Sequence, residues 1–318
     1  MVFNQIPGHL KRKVTALLIL LLSTVGLLAA RHNPPAPLAR AAFNALYATP
    51  APAPTAPLRV FHLGHSLVGR DMPAMLEQLA GAGHAYNSQL GWGTSLMAHW
   101  EPDEVINGFE VENDNPRYRD ARRAVSSGDY DVLVMTESVE IRDAIKYNNS
   151  PKYLFEWARA ARAANPEIRL YFYESWHELD DPEGWLTRLD RDLELYWEDE
   201  ILRRALNYDD VELPIYMIPA GQVMARFVRE VERRGGIGPI KDRSDLFTDN
   251  IHFNDFGAYL VALTHYAVIY QTSPVGLPYS LKRADGSPAI DPGPDAARLM
   301  QQIVWKVVTG YKRTGVGQ

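Results

Sequence analysis

The 318-residue chain contains no cysteine. Disulfides, thiolate nucleophiles, cysteine-ligated zinc and iron–sulfur clusters are therefore excluded, and stability has to come from core burial alone. Basic residues are also in deficit, 33 Lys and Arg against 39 Asp and Glu, a net charge of −6. Residues 1–30 carry three basic and no acidic residues, so the remainder stands at −9. A nucleic-acid partner, whose phosphates need a basic face, is not expected. A neutral or cationic substrate is easier to accommodate than an acidic polymer. Otherwise the composition, 46% apolar and 23% charged, is that of an ordinary globular protein.

The chain has one long uncharged run, Val14 to Ala30, directly behind Lys11-Arg12-Lys13. A basic cluster, an apolar stretch and small residues at Ala29-Ala30 read as a secretory signal. At 17 residues the run is also at the short edge of a membrane-spanning helix, so an uncleaved tether to the inner membrane through residues 14–30 is the alternative reading. Both readings carry the rest of the chain out of the cytoplasm, to the periplasm or beyond. Residues 31–57 are rich in Pro and Ala and read as an extended linker, with a short helix possible over Leu38 to Tyr47. A single folded domain is expected over 58–318.

That domain alternates strand-like and helix-like segments, the pattern of a mostly parallel α/β sheet. Strands are expected at Leu58–Leu63, Tyr86–Leu90, Asp131–Met135, Ile168–Tyr173 and Pro214–Ile218. Helices are expected at 71–80 (with Asp71 as N-cap), 117–127, 152–164, 185–206, 220–234, 254–270 and 296–311. The charged stretch Trp185–Arg204 of the fourth of these reads as a solvated face with same-helix ion pairs.

In such a sheet, reactive side chains sit on loops just past the carboxyl ends of strands. Three loops there carry suitable residues. Gly64-His65-Ser66-Leu67 follows the first strand and can present a serine hydroxyl, which needs a base to become nucleophilic. Asp249-Asn250-Ile251-His252 supplies an imidazole and, three residues away, a carboxylate to fix its tautomer. Gly91-Trp92-Gly93-Thr94 can bring main-chain N–H donors close to a developing oxyanion. Each motif taken alone has an ordinary structural reading.

Taken in order, however, these blocks resemble those of the SGNH/GDSL hydrolases over roughly residues 58–275. The resemblance implies a three-layer α/β/α sandwich of flavodoxin-like type with about five strands. It also implies a triad of Ser66, His252 and Asp249, with Ser66 and Gly93 as oxyanion donors. Two positions depart from the family pattern. His65 stands where Asp or Asn is usual. Thr136-Glu137-Ser138 replaces the segment that normally supplies an oxyanion-hole Asn, leaving Glu137 or Ser138 as stand-ins. An ionised Glu137 facing an oxyanion would be repulsive by about 4 kcal/mol at 4 Å.

Trp92, Trp176 and His65 are the candidate substrate contacts, since aromatic rings on active-face loops can stack on sugars. Trp100, Glu174 and His177 lie nearby in the predicted topology. His62 and His65 lack a third ligand, so neither a metal nor another cofactor is expected. The expected activity is hydrolysis of carboxylic esters, O-acetyl or similar small acyl groups carried by a small molecule or a carbohydrate. The rival readings are O-acyl transfer to a polysaccharide and, prompted by Glu137, a non-catalytic glycan-binding domain on a decayed hydrolase fold.

Overall fold

A computed structural model describes residues 34–209 and 213–317. Five strands, β1 (Arg59–His65), β2 (Ala85–Gly91), β3 (Val132–Thr136), β4 (Arg169–Glu174) and β5 (Tyr216–Pro219), form one sheet in the order β2-β1-β3-β4-β5. Every pairing is parallel. The sequence-based strands are all present, each ending one or two residues later than its apolar run suggests.

Side chains alternate faithfully across this sheet, as the two-residue strand period requires. Val60, Val132, Val134, Tyr171, Tyr173 and Ile218 point into one apolar layer, beneath helices Asp71–Ala80, Ala220–Arg234, Asp255–Tyr270 and Gly293–Gly310. Phe61, Leu63, Leu133, Met135, Leu170, Phe172 and Met217 point into the other, beneath helices Ala121–Ser126 and Ser150–Ala164 and the later turns of the helix that begins at Trp185. The molecule is thus a three-layer α/β/α sandwich, with both faces of a parallel sheet covered.

Three local expectations change. Arg117–Arg119 do not start a helix. They run beside Ser88 on the outer edge of β2, and the helix begins at Ala121 under an Asp120 cap. Asp71 is the first helical residue rather than the cap, and its carboxylate accepts from the Ala284 N–H. The long helix is continuous through Trp185–Asp192, a π-wound Leu193–Leu202 and Arg203–Ala205, and it is not merely a solvated face. Arg188 is fully buried and its charge is balanced by Glu140, Asp181 and Asp192.

The largest correction concerns 31–57. Over its described residues this segment is a packed arm, not a free linker. Phe43 and Tyr47 are buried in the helical layer, inside and just beyond a short helix, Arg40–Ala45. The Arg313 guanidinium lies 4.1 Å from the Phe43 ring centroid, and the Tyr47 hydroxyl donates to the Ile215 carbonyl at 2.7 Å. Proline-rich backbone has few N–H groups to pair, but its carbonyls still need donors. Arg204, Asn207 and Arg203 supply them to Pro35, Ala36 and Leu38. Folded structure therefore begins some twenty residues before Leu58. The signal or anchor expected at 1–30 lies outside the described residues. Among those described, no helix is long and apolar enough to cross a membrane.

Candidate active site

The strand order reverses direction between β1 and β3, and the crevice at the carboxyl ends there is where ligands bind in open α/β sheets. A cleft of about 1660 Å³ opens at this place, with Ser66, Gly93, Asp249 and His252 in its lining.

Ser66 is the first residue past β1. The turn is held tightly: a Cβ on Gly64 would come within 2.5 Å of the Thr136 methyl on β3. His99 Nε2–H donates to the Gly64 carbonyl at 2.9 Å, while His99 Nδ1 accepts from Gln89. His65 is buried, with Nε2–H donating to the Glu137 carbonyl at 2.8 Å and Nδ1 accepting from the Leu67 N–H. His65 is in the cleft lining, but both its nitrogens serve the main chain, so its polar atoms brace the serine turn. Burial pulls the His65 imidazole down to about 4, outweighing its carbonyl partner. A neutral ring there adds no positive charge beside His252.

His252 reaches Ser66 from 186 residues away. Between the paired Phe247 and Phe253, the chain makes a tight excursion closed by Thr248 N–H to the His252 carbonyl. Asp249 Oδ1 accepts from the Ile251 and His252 N–H groups, an Asx-type turn. Its other oxygen is left for the His252 Nδ1–H at 2.7 Å. With that proton placed, Nε2 presents its lone pair to the Ser66 hydroxyl at 2.9 Å. Partial burial pushes the Asp249 carboxyl up, but the two N–H groups and the imidazole outweigh it and hold it at about 2. The carboxylate is therefore ionised throughout the neutral range. Asn254 caps the following helix through Phe256 and Gly257.

The Ser66 and Gly93 N–H groups find no acceptor among the described residues, and both residues line the cleft. Free donors lining the same cleft as a base-linked hydroxyl are of the kind a tetrahedral oxyanion requires. The expected stand-ins do not join them. Glu137 is fully buried, and its Oε1 accepts from the Ser138 N–H at 2.8 Å, the Ser138 hydroxyl and the Leu96 N–H. Burial pushes its carboxyl up to about 7 against the pull of these donors and of the Ser150 hydroxyl, which lies outside good hydrogen-bonding geometry. Neither Glu137 nor Ser138 lines the cleft. The feared repulsion is absent because the carboxylate is turned inward to fasten the helix Leu96–Trp100.

Trp176 is likewise no surface platform. It is buried against Phe247 and Phe253, and its Nε1–H donates to the Ile251 carbonyl at 2.8 Å. Trp100 packs on Trp157 away from the cleft, and Glu174 is buried beneath the start of helix Ala220–Arg234, accepting from Gln222. Trp92, by contrast, is on the rim and half exposed. His177 lines the cleft and is linked by Nε2–H to Asp192. The bracing His99 and the Glu140–Arg188–Asp192 network carry no sequence signature, because each depends on partners remote in the chain. His62 and His65 point to opposite faces of β1. Among the described residues no cluster of His, Asp or Glu is arranged to hold a metal.

No family model and no curated protein matches this chain. Among solved structures it is similar to a DUF4886 family protein from Bacteroides uniformis ATCC 8492. That match is at 15% identity with a TM-score of 0.51, covering 79% of this chain and 94% of the other. A second solved structure aligns at 14% identity and a TM-score of 0.39 over 66% of this chain and 95% of its own. The first likeness establishes a shared α/β fold.

Proposed function

We propose that this protein is a serine carboxylic-ester hydrolase of the SGNH/GDSL type, acting on small acyl groups through an acyl-serine. The observation that carries the reading is the continuous relay Ser66–His252–Asp249 at 2.9 and 2.7 Å, beside two unengaged main-chain donors. His252 Nε2 takes the hydroxyl proton as Ser66 Oγ attacks the ester carbonyl carbon. The oxygen that becomes negative is held by the Ser66 and Gly93 N–H groups, and Asp249 stabilises the imidazolium. As the C–O bond to the alcohol breaks, His252 returns the proton to the leaving oxygen. Water then repeats the sequence on the acyl-serine, releasing the acid and free Ser66.

A site with two donors rather than three still operates, since one such donor is worth roughly 10²–10³-fold in rate. The side chains of His252 and Asp249 are 44% and 53% exposed, which favours attack by water over transfer to another hydroxyl. Nothing favours a decayed binding domain, since its motive was a Glu137 facing the site. The basic cluster and apolar run of residues 11–30 support an exported location.

The test is turnover of p-nitrophenyl acetate by the full chain and by Ser66→Ala. A loss on the order of 10⁴-fold or more is expected in the variant, together with loss of labelling by a fluorophosphonate probe. Equal rates in the two proteins would remove the assignment.

A further inference from the structure

The cleft is larger than hydrolysis of a small ester requires. Its volume of about 1660 Å³ exceeds the roughly 300–1,000 Å³ of sites that enclose one drug-sized molecule. The sheet order arranges the strand-end loops that line it. The loops after β2, β1, β3 and β4 stand in a row along the carboxyl edge, bringing Trp92, Ser66, Glu140 and His177 to the cleft in that sequence. Four neighbouring strands span about 14 Å at the usual spacing, longer than one sugar ring.

One end of this row is a built aromatic platform. The Trp92 indole lies on Gly108, where a Cβ would come within 2.3 Å of the ring. Its Nε1–H donates to Glu112 at 2.8 Å, and its main-chain N–H donates to the Asn107 carbonyl at 2.7 Å. A tryptophan so held on one side, yet 51% exposed, presents apolar surface to the cleft in a fixed orientation. It directly precedes Gly93, whose free N–H belongs to the oxyanion site. Aromatic rings in such positions bind flat faces that combine apolar and polar character.

The far end offers acceptors. Glu178 and Asp181, in the segment after β4, line the cleft there, and Glu178 is exposed. Acceptors of this kind match hydroxyl donors. Nine of the cleft residues are Asp or Glu and four are Arg or Lys, a balance that repels a polyanion.

We infer that, within the hydrolase reading above, the acyl group is carried by an uncharged glycan chain of several rings laid along this cleft, one ring stacked on Trp92. The experiment compares full-chain protein on O-acetylated xylose, O-acetylated xylotetraose, an acetylated uronic-acid tetramer and p-nitrophenyl acetate. Expected is a kcat/KM for xylotetraose at least ten-fold above that for xylose and for the acidic tetramer. Trp92→Ala should lower the tetramer-to-monomer ratio at least five-fold, and Trp92→Phe should keep most of it. Glu178→Arg, at an exposed position, should weaken discrimination against the acidic tetramer at least three-fold. Chain-length independence, preference for the acidic tetramer, or ratios untouched by these variants would overturn the inference. Normal p-nitrophenyl acetate turnover with no glycan deacetylated overturns this inference alone, whereas absent or Ser66-independent turnover overturns the hydrolase reading beneath it.

Discussion

Trp176 sits one layer behind the Asp249–His252 turn and holds it by a single hydrogen bond to the Ile251 carbonyl. Trp176→Phe keeps much of the apolar packing and deletes only that donor, so the imidazole should wander from its 2.9 Å contact with Ser66. We expect kcat on p-nitrophenyl acetate to fall about ten-fold with KM little changed, because misplacement of a general base acts on the transition state. Steady-state kinetics beside a thermal melt would check this; a fall in stability with kcat intact would reduce Trp176 to packing. The same residue marks where sequence reading stops. Ser66, His252 and Asp249 were legible because the proposed proton relay demands those residue types, with Ser66 at a strand end, and the Asx turn fixes a three-residue spacing. Whether Trp176, His65 or Glu137 faces the cleft or the core depends on the turn's own dihedrals. No composition or spacing encodes these.

At the level of elements, the strands were legible because their apolar residues alternate or cluster over short runs. The arm was not, because Pro and Ala suggest chain without a core. The missing information was that Phe43 and Tyr47 fill a space made by residues some 160 to 270 positions later. Phe43→Ala should cost about 3–5 kcal/mol, the usual loss for a buried phenylalanine, read as a lowered urea midpoint. A change below about 1 kcal/mol would mean that the arm is only loosely applied. Similarly, buried Arg188 made its helix look solvent-facing, since the carboxylate of Glu140 that compensates it comes from the loop after β3.

For the whole molecule, buried titratable groups set opposite limits on stability. Burial holds His65, His84, His99 and His265 down at about 4 and also pushes His62 well below its ordinary value. The unfolded chain takes up protons below about 6.5 and the folded one does not, so these residues make stability fall as pH drops from about 6.5 towards 4. Burial raises Glu137 to about 7 and Glu174 to about 8. Their contribution is fully present below 4.5 and is lost as pH rises through 7 and 8. Glu137→Gln should therefore gain on the natural protein, by up to about 3 kcal/mol, as pH rises from about 4.5 to about 7. Urea titrations at several pH values test it; a constant difference between the two proteins would count against the raised carboxyl.

The arm has one more implication, for biogenesis. Ala51 is pinned to Gly315 by a 2.8 Å main-chain bond, and Asn44 is clasped by Arg313 across 269 positions of chain. A ribosome delivering this polypeptide makes the arm early but its seat in two later instalments, residues 203–215 and then 313–315, so docking cannot be completed until the C-terminal end emerges. Until then the Phe43 ring lacks the Arg313 guanidinium that covers it in the folded protein.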